Sequence, residues 1–142
     1  MAPEVRLERS GWRDLSLSER HRRWGWDTPA VDLDFLFLEY DRGRAVAIVE
    51  YKHEAAALQY RTHPTYQALI DLGCRAGVPV FGVRYKADFS NWRAVPLNAL
   101  AEHWLPGWRA VDMTEREWVT LLYNLRGYQP PEDLFQNSEL VV

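Results

Sequence analysis

The sequence predicts an α/β protein, a mixed β-sheet flanked by helices in the order α-β-β-α-β-β-α-α. Three observations point to it. Two apolar, strand-like runs at 31–41 and 44–52 flank a short turn, which makes a hairpin. Two more strand-like runs, "VPVFGVRY" and "WRAVPLN", follow a segment with helical spacing. Segments with recognisable helix caps stand before, between and after the strands. Strands and helices mixed along one chain bury their apolar sides by packing helices on a sheet.

Each element has its own justification. "LSLSERHRRWGW" reads as a short helix, with Ser16 or Ser18 to cap it and Gly25 to end it. "DRG", residues 41–43, suits a three-residue hairpin loop with Gly43 left-handed. "HPTYQALIDLGCRAG" reads as a helix that starts at Thr62 ahead of Pro64 and ends at Gly77. Tyr66, Leu69, Ile70 and Leu72 would form its apolar face, with Cys74 as small core filler. The strands 78–85 and 92–98 flank a turn at 87–91, and Asn98 can cap a short helix through Trp104. In "TEREWVTLLYNLRG", Thr114 and Glu117 form a capping box and Gly127 marks the end. The first 128 residues are expected to be one domain. Residues 129–142 are expected to be a loosely held acidic tail.

Composition narrows the function. A chain of 142 residues, 47% hydrophobic and 26% charged, can bury a core without staples. A single cysteine excludes an internal disulfide and any multi-cysteine zinc centre. No apolar run approaches the roughly 20 residues of a membrane span, and the N-terminus has no apolar signal core. A cytoplasmic protein without a membrane partner is the expectation. The net charge is −3, with 15 Lys and Arg against 14 Asp and Glu over residues 1–111 and 2 against 6 thereafter. That is not the profile of a protein that coats nucleic acid, so any such contact rests on a local patch. Arg20, Arg22 and Arg23 are the candidate patch, and a solvated helix face is the plainer alternative.

The hairpin raises the functional question. It is largely apolar, yet it carries Asp32, Asp34, Glu50 and Lys52. If Tyr40 pairs with Arg44, Asp34 faces Glu50 and Asp32 faces Lys52, all on one side of the sheet. A two-residue loop would instead send the acids to opposite faces. Both faces are otherwise apolar, which predicts strands covered on both sides. Two carboxylates facing each other there repel and lose hydration, and a hard divalent cation with oxygen ligands offsets both costs. The architectural alternative is a buried salt bridge between Lys52 and one acid.

Asp34, a 15-residue gap, and then Glu50-Tyr51-Lys52 on the next strand resembles the PD-(D/E)XK nuclease superfamily. The resemblance covers roughly residues 15–98. It implies a restriction-endonuclease-like core, with Holliday-junction-resolvase-like and restriction-endonuclease-like members. It also implies Mg²⁺, or Mn²⁺ in its place, held by Asp34, Glu50 and the backbone carbonyl of Tyr51, with Lys52 as the catalytic lysine. Glu19 on the first helix is the candidate for the further acid that many members carry, and Gln67 for a glutamine that some carry. Only 14 residues separate Glu19 from Asp34, so "WGWDTPA" would have to supply any first strand.

The expected activity is therefore Mg²⁺-dependent hydrolysis of DNA phosphodiesters by an endonuclease. Nucleic-acid structure, more than sequence, would guide it, because nothing resembles a base-reading helix-turn-helix or finger. Arg20, Arg22 and Arg23, with Arg84 as a further candidate, would hold phosphates. Apolar strands and plentiful aromatics allow a homodimer. A non-cleaving nucleic-acid-binding or partner-docking module, and a structural protein of a phage or mobile element, are the alternatives. The four histidines have no zinc-hydrolase spacing and read as ordinary.

Overall fold

The structure, a computed structural model, describes residues 15–25 and 33–135. The chain divides at residue 32 into two compact units. In the first, α1 spans Leu15–Arg23. Ser16 and Ser18 lie within this helix and not ahead of its first residue, and Gly25 follows it with a left-handed φ of 90°. Arg20, His21, Arg22 and Arg23 occupy the last turn, where positive charge complements the helix dipole.

The second unit is an α/β body. Its sheet runs in the order β1 (Phe35–Glu39), β2 (Arg44–His53), β3 (Val80–Tyr85), β4 (Trp92–Pro96) and β5 (Val111–Met113). Only the β2–β3 pair is parallel, so the sheet is mixed. Among the described residues this unit also holds helices α2 (Pro64–Ala76), α3 (Ala99–Trp104) and α4 (Glu115–Leu125). The fifth strand was not expected. Its three residues carry no periodic signal, and it is a strand because β4 offers them an edge, Arg93 opposite Asp112.

The hairpin differs from expectation near its turn. Glu39, not Tyr40, pairs with Arg44, and a 3-10 turn at Tyr40–Arg42 leads to Gly43 at φ 58°. A bulge on β2 then restores the expected register, with Phe37 opposite Ala47 and Phe35 opposite Val49. The hairpin is also not covered throughout. β2 is interior and buried from Ala47 to Glu50, whereas β1 is the sheet edge and leaves Phe35, Leu36 and Leu38 exposed.

Alternation along the strands divides the core in two. One side packs Val49, Phe81, Val83 and Ala94 against Ala101 of α3, Leu105 just after it, and Trp118 and Leu121 of α4. The other packs Ile48, Val80 and Leu97 against Leu69 of α2. Burying one such side chain contributes roughly 2 kcal/mol. Gly73 lets α2 approach closely, since a Cβ there would collide with Val80 Cγ2. The buried seam of α2 is thus Leu69 and Gly73, and both Leu72 and Cys74 face solvent instead of the core. His63, not Thr62, caps α2, accepting the Thr65 N–H on Nδ1.

The remaining caps follow the sequence. Asn98 Oδ1 accepts from Ala101 N–H at 2.9 Å and from Val80 N–H at 3.1 Å, while its Nδ2 donates to Val78 O at 2.9 Å. One buried side chain therefore ties α3 to β3. Thr114 and Glu117 form the reciprocal capping box on α4. Arg126 closes the α4 end, pairing with Glu39 of β1 at 3.0 Å. Of the expected loose tail, Phe135 lies under the Arg116 guanidinium at 5.0 Å, and residues 136–142 fall outside the described residues.

Candidate functional site

The restored register puts Asp34 and Glu50 on one face at the carboxyl end of β2. Asp34 precedes β1 and is exposed, while Glu50 is only 6% exposed. The Asp34 carboxylate is near enough for its negative charge to act on Glu50. Burial first, and then the Asp34 charge, push the Glu50 carboxyl up to about 7. Lys52, two positions along on the same face, opposes that shift and holds Nζ 3.5 Å from Glu50 Oε1. Glu50 Oε2 is buried and receives no hydrogen bond. A buried carboxylate oxygen without a donor is costly, and a proton or a cation would relieve it.

Across the sheet the same face carries two rows of residues. Glu50 lies beside Gly82, which lies beside Val95. Lys52 lies beside Arg84, then Arg93, then Asp112. Three cations on adjacent strands about 5 Å apart repel one another. Arg84 is held by the His53, Glu54 and Ala56 carbonyls, and Arg93 only reaches Asp112 at 3.8 Å. A groove of about 510 Å³ opens over this row. Its lining includes Lys52, Arg61, Tyr66, Gly82, Arg84 and Arg93. Neither Glu50 nor Asp34 lines it, but Glu50 adjoins its Lys52–Gly82 side. Gly82 keeps the floor open, since a Cβ there would meet only Leu97, at 3.5 Å.

The expected residues therefore divide. Asp34, Glu50 and Lys52 converge. Tyr51, between them in sequence, turns its ring to the opposite side, where its hydroxyl accepts from Trp118 Nε1 at 3.0 Å and burial pushes its pKa up to about 12. Glu19 and the exposed Arg20, Arg22 and Arg23 belong to the first unit. Asp32 and "WDTPA" lie outside the described residues. Gln67 is not at the groove; its Nε2 donates to Arg61 O at 2.8 Å and fixes the loop before α2. His53 turns away from Lys52, accepting from Ala55 N–H.

Arg61, Arg93 and Tyr66 were missed. Arg61 comes from the loop before α2 and donates to Leu97 O at 2.7 Å. Tyr66 read as an apolar helix residue, yet it feels the charges of Lys52, Glu50, Arg84 and Asp34. No sequence spacing marks a row that forms across three strands.

Among the described residues no three or more His, Cys, Asp or Glu side chains form a metal-binding group. The two carboxylates and the unpaired Oε2 nevertheless fit a hard cation that completes its shell with carbonyl oxygen, water or phosphate. Compared with known proteins, the chain matches no family model, no curated protein and no solved structure.

Proposed function

We propose that this protein is a metal-dependent nuclease that hydrolyses DNA phosphodiesters, guided by nucleic-acid structure more than by base sequence. The observation that carries this reading is Glu50: a buried carboxyl facing a second carboxyl, one oxygen unpaired, with an ammonium 3.5 Å away beside a cation-lined groove. A fold does not need that arrangement, and a buried acid with no ligand to hold costs stability.

Asp34, Glu50 and the Tyr51 carbonyl would hold Mg²⁺ or Mn²⁺. When bound, the ion supplies Lewis-acid polarisation of the scissile phosphate and charge stabilisation at the leaving oxygen. Lys52 donates to the phosphate or to the attacking water. A charged ammonium cannot accept a proton, so it orients the water and offsets negative charge. The water oxygen bonds to phosphorus as the bond to the leaving oxygen breaks. The water proton passes to solvent, and the leaving oxygen takes a proton from solvent. Arg84, Arg93 and Arg61 position the backbone phosphates without reading bases. Arg20, Arg22 and Arg23, on the first unit, are a separate candidate set of phosphate contacts, and a homodimer would present two metal sites.

The test is incubation with labelled linear, nicked, flapped and four-way DNA, with and without Mn²⁺. Cleavage that needs the metal and disappears in Glu50→Gln and Lys52→Ala is the expected result. A divalent ion that binds and stabilises the protein without cleavage of any form would favour the non-cleaving binding module. Cleavage unchanged in Lys52→Ala would remove the mechanism.

A further inference from the structure

The opposite side of the sheet carries a second feature at the same end. Phe35, Tyr51, Tyr85, Phe89 and Trp92 line a cleft of about 320 Å³. The rings of Tyr85, Phe89 and Trp92 are nearly parallel, with planes within 18 to 29° and centroids 5.7 to 5.9 Å apart. Phe35 meets Tyr51 edge-on at 5.1 Å. Phe89 and Phe35 are 52% and 54% exposed. Phe89 also holds a left-handed φ of 61°, a conformation that disfavours bulky residues. The turn that keeps it there is built for rigidity. Asp88 accepts from the Ser90 N–H and hydroxyl, and the Trp92 indole donates to Phe89 O at 3.0 Å. A strained, solvent-facing aromatic ring on a rigid turn presents a ready flat surface.

The cleft is interleaved with the charged face, residue by residue. Phe35 follows Asp34, Tyr51 stands between Glu50 and Lys52, Tyr85 follows Arg84, and Trp92 precedes Arg93. Alternation sends each neighbour to the other side of the sheet. An extended ligand draped over this end can meet cations on one side and aromatic rings on the other. A single strand of nucleic acid has that pattern, charged along its backbone and flat at its bases. Two polar atoms of the cleft, Tyr51 Oη and Trp92 Nε1, are already hydrogen-bonded, so it suits stacking more than base reading.

We propose that the aromatic cleft stacks an unpaired nucleobase of the strand whose phosphates lie along Lys52, Arg84 and Arg93. It rests on the reading above for its partner class and narrows it: the substrate carries unpaired nucleotides, as in flaps, single strands or open junctions. A base held in a duplex is already stacked and cannot enter without being flipped.

The test is metal-free binding by fluorescence anisotropy in EDTA. The probes are a short labelled oligothymidylate, its abasic counterpart and a blunt duplex of equal length. The native chain is expected to bind the oligothymidylate about tenfold more tightly than the abasic strand. Phe89→Leu should erase that margin, Phe89→Trp should keep it, and Phe35→Leu should reduce it. Phe89 and Phe35 are exposed, so circular dichroism should show the fold retained. Equal affinity for the two single strands, or a margin intact in Phe89→Leu, would overturn the proposal. So would a change of oligomeric state in Phe89→Leu with the margin unchanged, which would assign the cleft to a second copy of the chain. Because the assay needs no metal, a protein that fails to cleave but keeps the margin loses the nuclease reading and retains the stacking site.

Discussion

Lys52 holds its ammonium 3.5 Å from Glu50 Oε1, yet the other oxygen of that carboxylate is buried without a hydrogen bond. One ammonium does not satisfy two carboxyl groups. The Glu50 carboxyl is pushed up to about 7 in spite of Lys52, because burial and Asp34 outweigh it. The pair is poised to take up either a proton or a cation.

The first prediction is a pH dependence of stability in metal-free solution. Glu50 ionises near 4.5 when unfolded and near 7 when folded. Between those values the folded state binds more protons, so stability falls as pH rises through that window. The loss is on the order of 3 kcal/mol, complete above about pH 7. Urea titrations in EDTA from acid to neutral pH should show it, and Glu50→Gln should flatten the profile. An equal slope in that variant would place the titration elsewhere.

Divalent ions should reverse the same loss. Above pH 7, Mn²⁺ or Mg²⁺ at ten times its dissociation constant should add about 1.4 kcal/mol of stability. Metal and proton compete for the Glu50 carboxylate, so metal affinity should fall as the solution is acidified. Thermal denaturation should show the gain in the native chain and none in Glu50→Gln or Asp34→Asn.

Arg93→Gln should weaken binding to any DNA sequence alike. It removes one cation from the Lys52–Arg84–Arg93 row and relieves its repulsion with Arg84. The slope of log affinity against log salt should become shallower by about 1. Stability should be unchanged or slightly raised, because the pair with Asp112 at 3.8 Å is exposed. A salt slope equal to that of the native chain would mean that this groove does not hold phosphates.

Asn98→Ala should be severely destabilising, by about 3 kcal/mol or more. It leaves the Val80 N–H and Val78 carbonyl of the β3 approach without their partner and uncaps α3. Chemical denaturation of the variant measures this directly. A loss under about 1 kcal/mol would show that water replaces the amide.

Much of this protein was legible in local chemistry. The Thr114–Glu117 box, the Asn98 cap and the left-handed Gly43 and Gly77 each follow from side chains acting within a few residues. The facing of Asp34 and Glu50 was legible too, because strand alternation fixes sides once a register is set. The turn itself was misread, and the bulge on β2 compensated for it. The exposure of Cys74 and Leu72 was not legible, because helical spacing names a face without saying where Gly73 lets Val80 approach.

By itself, then, the amino-acid order determined the α/β class, the Asn98 and Thr114 caps and the meeting of two acids with a lysine, since each depends on spacing within a short stretch of chain. Only the tertiary structure decided that β1 is an exposed edge, that Val111–Met113 becomes a strand, and that Arg84 and Arg93 extend the charge of Lys52 across the sheet. It also decided that five aromatic rings from separate segments gather behind that row. The physical reason is that side-to-side neighbours in a sheet come from distant parts of the chain, and the pairing order that makes them neighbours is set by the burial of the whole core.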